Sequence, residues 1–382
     1  MTKVAVIPTG GTYLSLKTER GLRPPDISNK DELGIAMSKL EEVIEKGLQY
    51  LRLDDKVDVE VIEPPFMIDS TDLTKDNMFE LLSRVKSELS NKDSVIILHG
   101  TDTLAFEASF LSFFLDHEIH KSKNVVITGA MAPLLDPVEG VYAEKNLLSS
   151  LLVAQSGLKG VYVVFHDKVI LGTRAVKYKA LDVDLNGEIR NHHDAFTSSN
   201  VKEIARVSLE TKNVIVDESV KRRYMDCLVS TKGYDMELED RIVRITIFPG
   251  MREEVLKLLI LSKVGEFNVR GVIIDSFGTG GIPKHLVKAL DAIAKSGIPV
   301  LVTTQVLDPI VLLEKYAVGM RLREIKGEIF SSLDMTRETA SIKVMWALAQ
   351  KSEERRGEIM MKAFRFESIL ACNNQRIYSQ HP

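Results

Sequence analysis

The chain has little cysteine, no long hydrophobic run and no large excess of either charge, and each shortage removes a class of protein. Only Cys227 and Cys372 occur in 382 residues, with no CxxC pair, so neither a disulfide framework nor a cysteine-rich zinc site is expected. That usage suits a reducing compartment. No stretch reaches the roughly 18 apolar residues of a membrane helix. After Met1-Thr2-Lys3 the chain enters a strand with no apolar signal core and no small-residue cleavage site. A cytoplasmic protein without a membrane segment is the expectation. The net charge of -4 leaves no extended basic surface for nucleic acid. The eight histidines lack metal-ligand spacing, with His192-His193 standing in a polar loop, so nothing calls for a metal or other cofactor. Internal repeats and low-complexity tracts are missing as well.

What remains is an ordinary globular composition, 45% hydrophobic and 27% charged, on a chain long enough for two full cores. Short β-branched runs alternate with helical periodicity. Val4–Ile7, Val95–Leu98, Val125–Ile127 and Val161–Phe165 read as buried strands. Leu33, Met37, Leu40, Ile44, Leu48 and Leu51 recur at spacings of three and four, the stripe of a helix against the first strand. Thr74 predicts an N-cap before Phe79, Leu82, Val85 and Leu89, and Leu104–Leu115 is apolar nearly all round. A further helix is expected at about 143–154. A second alternating block follows: strand Ile242–Phe248, helix Arg252–Val264, strand Val272–Asp275, helix Lys284–Ser296, strand Pro299–Thr303 and a helix capped by Thr336. The pattern predicts an α/β protein of two domains, a larger N-terminal one with a doubly wound, mostly parallel sheet and a smaller C-terminal α/β one. The boundaries are placed at residues 1–205 for the catalytic domain, 206–240 for a polar connection and 241–382 for the second domain.

Two strand ends carry glycine and threonine together, Thr9-Gly10-Gly11-Thr12 and His99-Gly100-Thr101-Asp102-Thr103. In an open α/β sheet ligands bind at such ends. Glycines let backbone N–H groups approach an anion or oxyanion closely, and Thr12 would present its hydroxyl beside them. A threonine hydroxyl is a weak nucleophile until a base or a hydrogen-bond chain activates it. Each segment taken singly also reads as a tight turn and a helix cap. Asp102 carries more weight, because a carboxylate at a buried strand end needs a cationic or hydrogen-bonding partner.

These motifs, with Ile68-Asp69-Ser70-Thr71-Asp72, Thr128-Gly129-Ala130-Met131, Gly172–Lys177, Asp194-Ala195-Phe196, Phe248-Pro249-Gly250, Ser276–Gly280 and Asp334-Met335-Thr336, resemble in order the bacterial-type L-asparaginase family. That family also contains a subunit of the archaeal glutamyl-tRNA(Gln) amidotransferase. The resemblance implies that Thr12 attacks the side-chain amide and forms an acyl-enzyme. It implies that Thr101, Asp102 and Lys177 handle the proton, the lysine tuned by burial and by the carboxylate. Gly11, Ser70, Thr71, Gly100 and Ala130 are implied to bind the substrate zwitterion. It further implies a homodimer or homotetramer, each site closed by the partner's C-terminal domain.

Three departures stand out. Leu22, in Gly21-Leu22-Arg23-Pro24, occupies the place of a lid tyrosine, and Tyr13 is the nearby phenol. The stretch 134–146 lacks the family's Ser-Asp, and roughly ten extra residues separate Lys177 from Asp194, by the spacing of related motifs. The leading reading is hydrolysis of L-asparagine to L-aspartate and ammonia, with weaker action on glutamine. The alternatives are an ammonia-generating subunit of a tRNA-dependent amidotransferase, acting with a partner subunit and tRNA, and a non-catalytic amino-acid-binding homologue. The first motif begins at residue 9, where the amidotransferase subunits carry a preceding domain, which favours the free-standing hydrolase.

Overall fold

Buried β-branched runs pair first with one another, and the sheet they form dictates where every loop emerges. The computed structural model describes residues 1–261, 268–314 and 317–373. Contacts divide the chain into two compact units that meet in sequence between Asp226 and Cys227.

The first unit contains strands β1 (Thr2–Pro8), β2 (Leu16–Thr18), β3 (Gly21–Arg23), β4 (Val57–Val61), β5 (Ser94–Leu98), β6 (Asn124–Thr128), β7 (Gly160–Phe165) and β8 (Lys168–Leu171). Then come β9 (Ala175–Lys177), β10 (Leu181–Val183), β11 (Ile189–Asn191), β12 (Phe196–Ser198), β13 (Ala205–Ser208) and β14 (Asn213–Val216). Its helices are α1 (Lys30–Leu51), α2 (Lys75–Leu89), α3 (Leu104–Phe114), α4 (His117–Ser122), α5 (Gly140–Gln155) and α6 (Glu218–Asp226). The main sheet has the order β14-β13-β8-β7-β6-β5-β1-β4. β4, β1, β5, β6 and β7 run parallel, while β8, β13 and β14 continue the sheet antiparallel. Every residue of β5 and β6 is buried, as expected of parallel strands covered on both faces. β1 lies between β4 and β5, so the connections leaving and returning past it cross to opposite sides. The loops after β1 and β5 therefore open at a topological switch point.

The helices follow their local signals. Asn29 caps α1 by accepting from the Asp31 and Glu32 N–H groups, and Thr74 with Asn77 closes a reciprocal capping box on α2. The buried stripe of α1 is Ala36, Leu40, Val43, Ile44, Gly47 and Leu51, turned from the expected one so that Leu33, Met37 and Leu48 are only partly covered. The reason is the neighbour: α1 lies mainly on α5, where Gly47 leaves room for Leu148. The stretch 206–226, expected as part of a polar connection, holds most of β13, all of β14, and α6. β14 is half exposed at the sheet edge, where Asn213 and Ile215 face solvent, and the charged residues on either side of this four-residue strand hide it in the sequence.

The second unit contains a parallel sheet in the order β15 (Ile242–Thr246), β16 (Gly271–Ser276), β17 (Val300–Thr304) and β18 (Ile329–Ser331). Helices α7 (Glu253–Leu261), α8 (Lys284–Lys295), α9 (Ala317–Met320), α10 (Arg337–Leu348) and α11 (Glu353–Met361) accompany it. Residues 262–264, the expected end of the helix from Arg252, lie outside the described residues. Val272, Ile274, Leu286, Leu290, Ile293, Val300 and Val302 form its core. Thr336 caps α10 through the Thr339 N–H. At the end of β16 the buried Asp275 carboxylate takes Arg244 and Arg337, each at 2.7 Å, and the Thr246 hydroxyl at 2.9 Å. Cys227 and Cys372, with Cα atoms 6.0 Å apart, are joined as one disulfide across 145 residues. This bond departs from the expectation drawn from cysteine count, since folding brings together what spacing kept apart. No described helix is long and apolar enough to cross a membrane.

Candidate active site

At the C-terminal edge of the first sheet the four loops meet through glycine. Gly11, at φ 64°, donates its N–H to the Ile68 carbonyl at 2.8 Å, and Ile68 donates back to Thr9 at 3.2 Å. A Cβ on Gly11 would overlap the backbone of Gly100, and one on Gly100 would stand 2.5 Å from Ser70 Oγ. A Cβ on Gly129 would stand 2.6 Å from the His99 carbonyl oxygen and 3.0 Å from Thr101 Cγ2. The absence of side chains at these positions is thus what lets the segments after β1, β4, β5 and β6 close on one another. Thr9 Oγ1 donates to Leu98 O at 3.0 Å and Thr103 Oγ1 to Ser70 O at 2.9 Å, tying the same loops.

Thr12, half-buried, opens a 3-10 turn directly after Gly11. Ser70, Gly100, Thr101 and Ala130 are buried, and Ala130 continues the chain from Gly129. Thr71 is exposed and held sideways, its hydroxyl donating to Asp69 Oδ1 at 2.8 Å. Lys177, the last residue of β9, reaches back across the sequence. Its Nζ donates to Thr101 Oγ1 and to Asp102 Oδ1, each at 2.8 Å. The side chain of Lys177 is 18% exposed and that of Asp102 57%, so the pair sits at the rim, with Thr101 buried beneath. The geometry joins Gly11, Ser70, Gly100 and Thr101 in one cradle and brings Lys177 and Asp102 to it. Thr71 turns its hydroxyl to Asp69 instead.

Residues that the motifs did not single out for the site stand in the same loops and in the helices near them. Asn146, buried on α5, donates to the Gly129 carbonyl at 2.8 Å and accepts from the His166 N–H at 2.9 Å. Ser15 donates to the Gly11 carbonyl at 2.9 Å. His99 donates from Nδ1 to the Gly100 carbonyl, and burial drives its pKa down to about 4. Glu107, one turn into α3, is fully buried, and burial holds its carboxyl well above the usual range. Tyr13 does not enter the lid. Its ring is fully buried, its hydroxyl donates to Ala143 O at 2.8 Å, and burial raises its pKa. The segment expected as a lid forms the β2–β3 hairpin, with Leu22 exposed and Arg23 forked onto both carboxylate oxygens of Glu32. Among the described residues no group of three or more His, Cys, Asp or Glu is placed to hold a metal ion.

The switch-point cradle and the two α/β units define a class of protein, and comparison gives that class a family. Residues 3–221 match the family model described as "Asparaginase, N-terminal", and residues 241–361 match "Glutaminase/Asparaginase C-terminal domain". The chain belongs to the asparaginase family. Among its relatives, an L-asparaginase of Thermococcus kodakarensis is 32% identical over 91% of this chain and 92% of its own. A glutamyl-tRNA(Gln) amidotransferase subunit of Pyrococcus horikoshii is 28% identical over 92% of this chain and 73% of its own. The solved structure of the thermostable T. kodakarensis L-asparaginase superposes with a TM-score of 0.74 at 30% identity, covering 96% of this chain and 99% of that one.

Proposed function

We propose that this protein hydrolyses L-asparagine to L-aspartate and ammonia, with weaker action on glutamine, through an acyl-enzyme on Thr12. The Thr12 hydroxyl oxygen attacks the side-chain amide carbon, the C–N bond breaks, and the departing nitrogen takes a proton and leaves as ammonia. Water then attacks the ester and returns the hydroxyl to Thr12. Thr101, in contact with Lys177, carries protons to and from these oxygens, and the Asp102 carboxylate holds the ammonium. Gly11, Ser70, Thr71, Gly100 and Ala130 hold the amino-acid end of the substrate. The observation that carries this reading is the Lys177 ammonium, 2.8 Å from both Thr101 and Asp102 at a switch-point strand end. Such a lysine is expensive to order unless its position is used.

In this reading the N-terminal domain supplies the chemistry, the molecule is a cytoplasmic homodimer or homotetramer, and a partner's C-terminal domain closes each site. The similarity to the amidotransferase protein of P. horikoshii favours one second reading, delivery of ammonia to a partner subunit acting on misacylated tRNA. Ammonia release from asparagine, from glutamine and from misacylated tRNA with the partner subunit separates them, with Thr12→Ala as control. Release from free asparagine that disappears in Thr12→Ala is the expected result. Activity surviving that change removes Thr12 as nucleophile, and no release from any substrate leaves the amino-acid-binding homologue. A fully active monomer in sedimentation removes the shared site.

A further inference from the structure

The stretch 134–146 and the residues that follow Lys177, both expected to depart from the family pattern, touch each other. Between Lys177 and Asp194 the chain forms the β10–β11 hairpin, whose strands pair from Leu181↔Asn191 to Val183↔Ile189. On its return side, Asn191 Nδ2 donates to Glu139 Oε2, and His193 Nε2 lies 3.4 Å from Glu139 Oε1. The His193 ring stacks flat on Tyr142, with centroids 3.6 Å apart and planes at 6°. Glu139 and Tyr142 stand at the start of α5, whose Ala143 carbonyl accepts from the Tyr13 hydroxyl. Leu134, just before that helix, donates to the Tyr13 carbonyl at 2.8 Å. Tyr13 follows Thr12 directly.

The other side of the hairpin leads to Lys177. His192 donates from Nδ1 to Asp182 Oδ2 at 2.7 Å, which fixes its tautomer and leaves Nε2 to accept from the Tyr178 hydroxyl at 2.9 Å. Tyr178 follows Lys177, and its N–H donates to the Ala195 carbonyl at 3.0 Å. Lys168, paired with both oxygens of Asp194 at 2.8 Å, lies 5.8 Å from the Tyr178 ring centre and holds the hairpin base. A continuous set of contacts therefore runs from Thr12-Tyr13 through α5, Glu139, His193-His192 and Tyr178 to Lys177.

We infer that the β10–β11 hairpin is a brace that sets the position of Lys177 relative to Thr12, with Tyr178, His192, His193 and Glu139 as positioning residues. The inference rests on the reading that Thr12 and Lys177 act on one amide. The side chains of Lys177 and Tyr178 go to different partners, so the brace acts through the backbone they share. A misplacement of about 1 Å at a reacting group costs on the order of 100-fold in rate, and a lysine with a flexible four-carbon stem is easily misplaced.

Intermediacy in space is not coupling, so the test is a double-mutant cycle. In the full-length protein with asparagine, Tyr178→Phe and Glu139→Ala are each expected to lower kcat roughly 5- to 20-fold with KM within about twofold. The double variant is expected to be no slower than the slower single. His192→Gln, which can still accept from Tyr178, is expected to recover most of the rate lost in His192→Ala. Additive losses, a rise in KM at constant kcat, or unchanged kcat with only a lower melting temperature overturn the brace. If the wild type releases no ammonia, the hydrolase reading fails and amide hydrogen exchange decides the brace. Faster exchange at both 12–15 and 175–178 in Tyr178→Phe and in Glu139→Ala supports it, and unchanged exchange at either segment overturns it.

Discussion

Both units of this protein present a parallel sheet whose strand ends carry threonine and aspartate, yet the two ends are chemically opposite. In the second unit Asp275 is buried and surrounded, with Arg244, Arg337 and Thr246 consuming its carboxylate. In the first unit Asp102 pairs with Lys177 and remains more than half exposed. Strand-end placement is thus permissive and not sufficient. A site arises where glycines bring loops together without filling the space between them, as at Gly11, Gly100 and Gly129. Where the charges are mutually satisfied, the same edge is structural.

That contrast is broken most severely at Thr12. Thr12→Ala is expected to reduce ammonia release by a factor on the order of 1,000 or more while leaving the melting temperature unchanged. His99 comes next. Native His99 stays neutral down to about pH 4, whereas in the unfolded chain it takes a proton below about 6.5. The unfolded state binds more protons in that window, so stability falls as pH falls, by up to about 3 kcal/mol. Glu107 opposes it: its native pKa is raised by burial, so stability is lost as pH rises above the ordinary carboxylate range. Urea melts of wild type and His99→Gln at pH 7.5 and 4.5 isolate the histidine, the variant losing less stability on acidification. In the second unit Asp275→Ala should cost about 2 kcal/mol, the low side of a broken buried pair because both arginines reach solvent. Calorimetry should show that loss, with the rate per folded molecule within about twofold. Thr74→Ala, which removes the capping box of α2, is the smallest change, about 1 kcal/mol in a denaturant melt.

The elements that could be read from the sequence are those whose burial is decided locally. β1, β5, β6 and β7 are uninterrupted apolar runs, and Thr74 and Thr336 announce their helices by a hydroxyl at the right place. The segments holding Gly11, Ser70, Gly100 and Thr101 were legible as motifs, and the Lys177 contact followed from family resemblance across 75 residues. What was hidden depends on neighbours distant in sequence. The stripe of α1 turns toward Ala36 and Gly47 because α5 approaches there, which no periodicity count reveals. β14 reads as a linker because the edge strand is only four residues long, Asn213–Val216, and is flanked by charged residues. Tyr13, the phenol nearest the lid stretch in sequence, has its ring in the core, and His192-His193, a solvated pair by its polar loop, lies among Asp182, Tyr178, Tyr142 and Glu139.

The fork between Arg23 and Glu32 ties the base of the β2–β3 hairpin to the first turn of α1. A hairpin pinned to a helix at its base has fewer orientations to sample than one held only by the chain. Because that fastening is an exposed ion pair, added salt loosens it while the buried threonine and glycine contacts stay as they are. Ionic strength is therefore expected to change how freely this hairpin moves while leaving the cradle of glycines as it is.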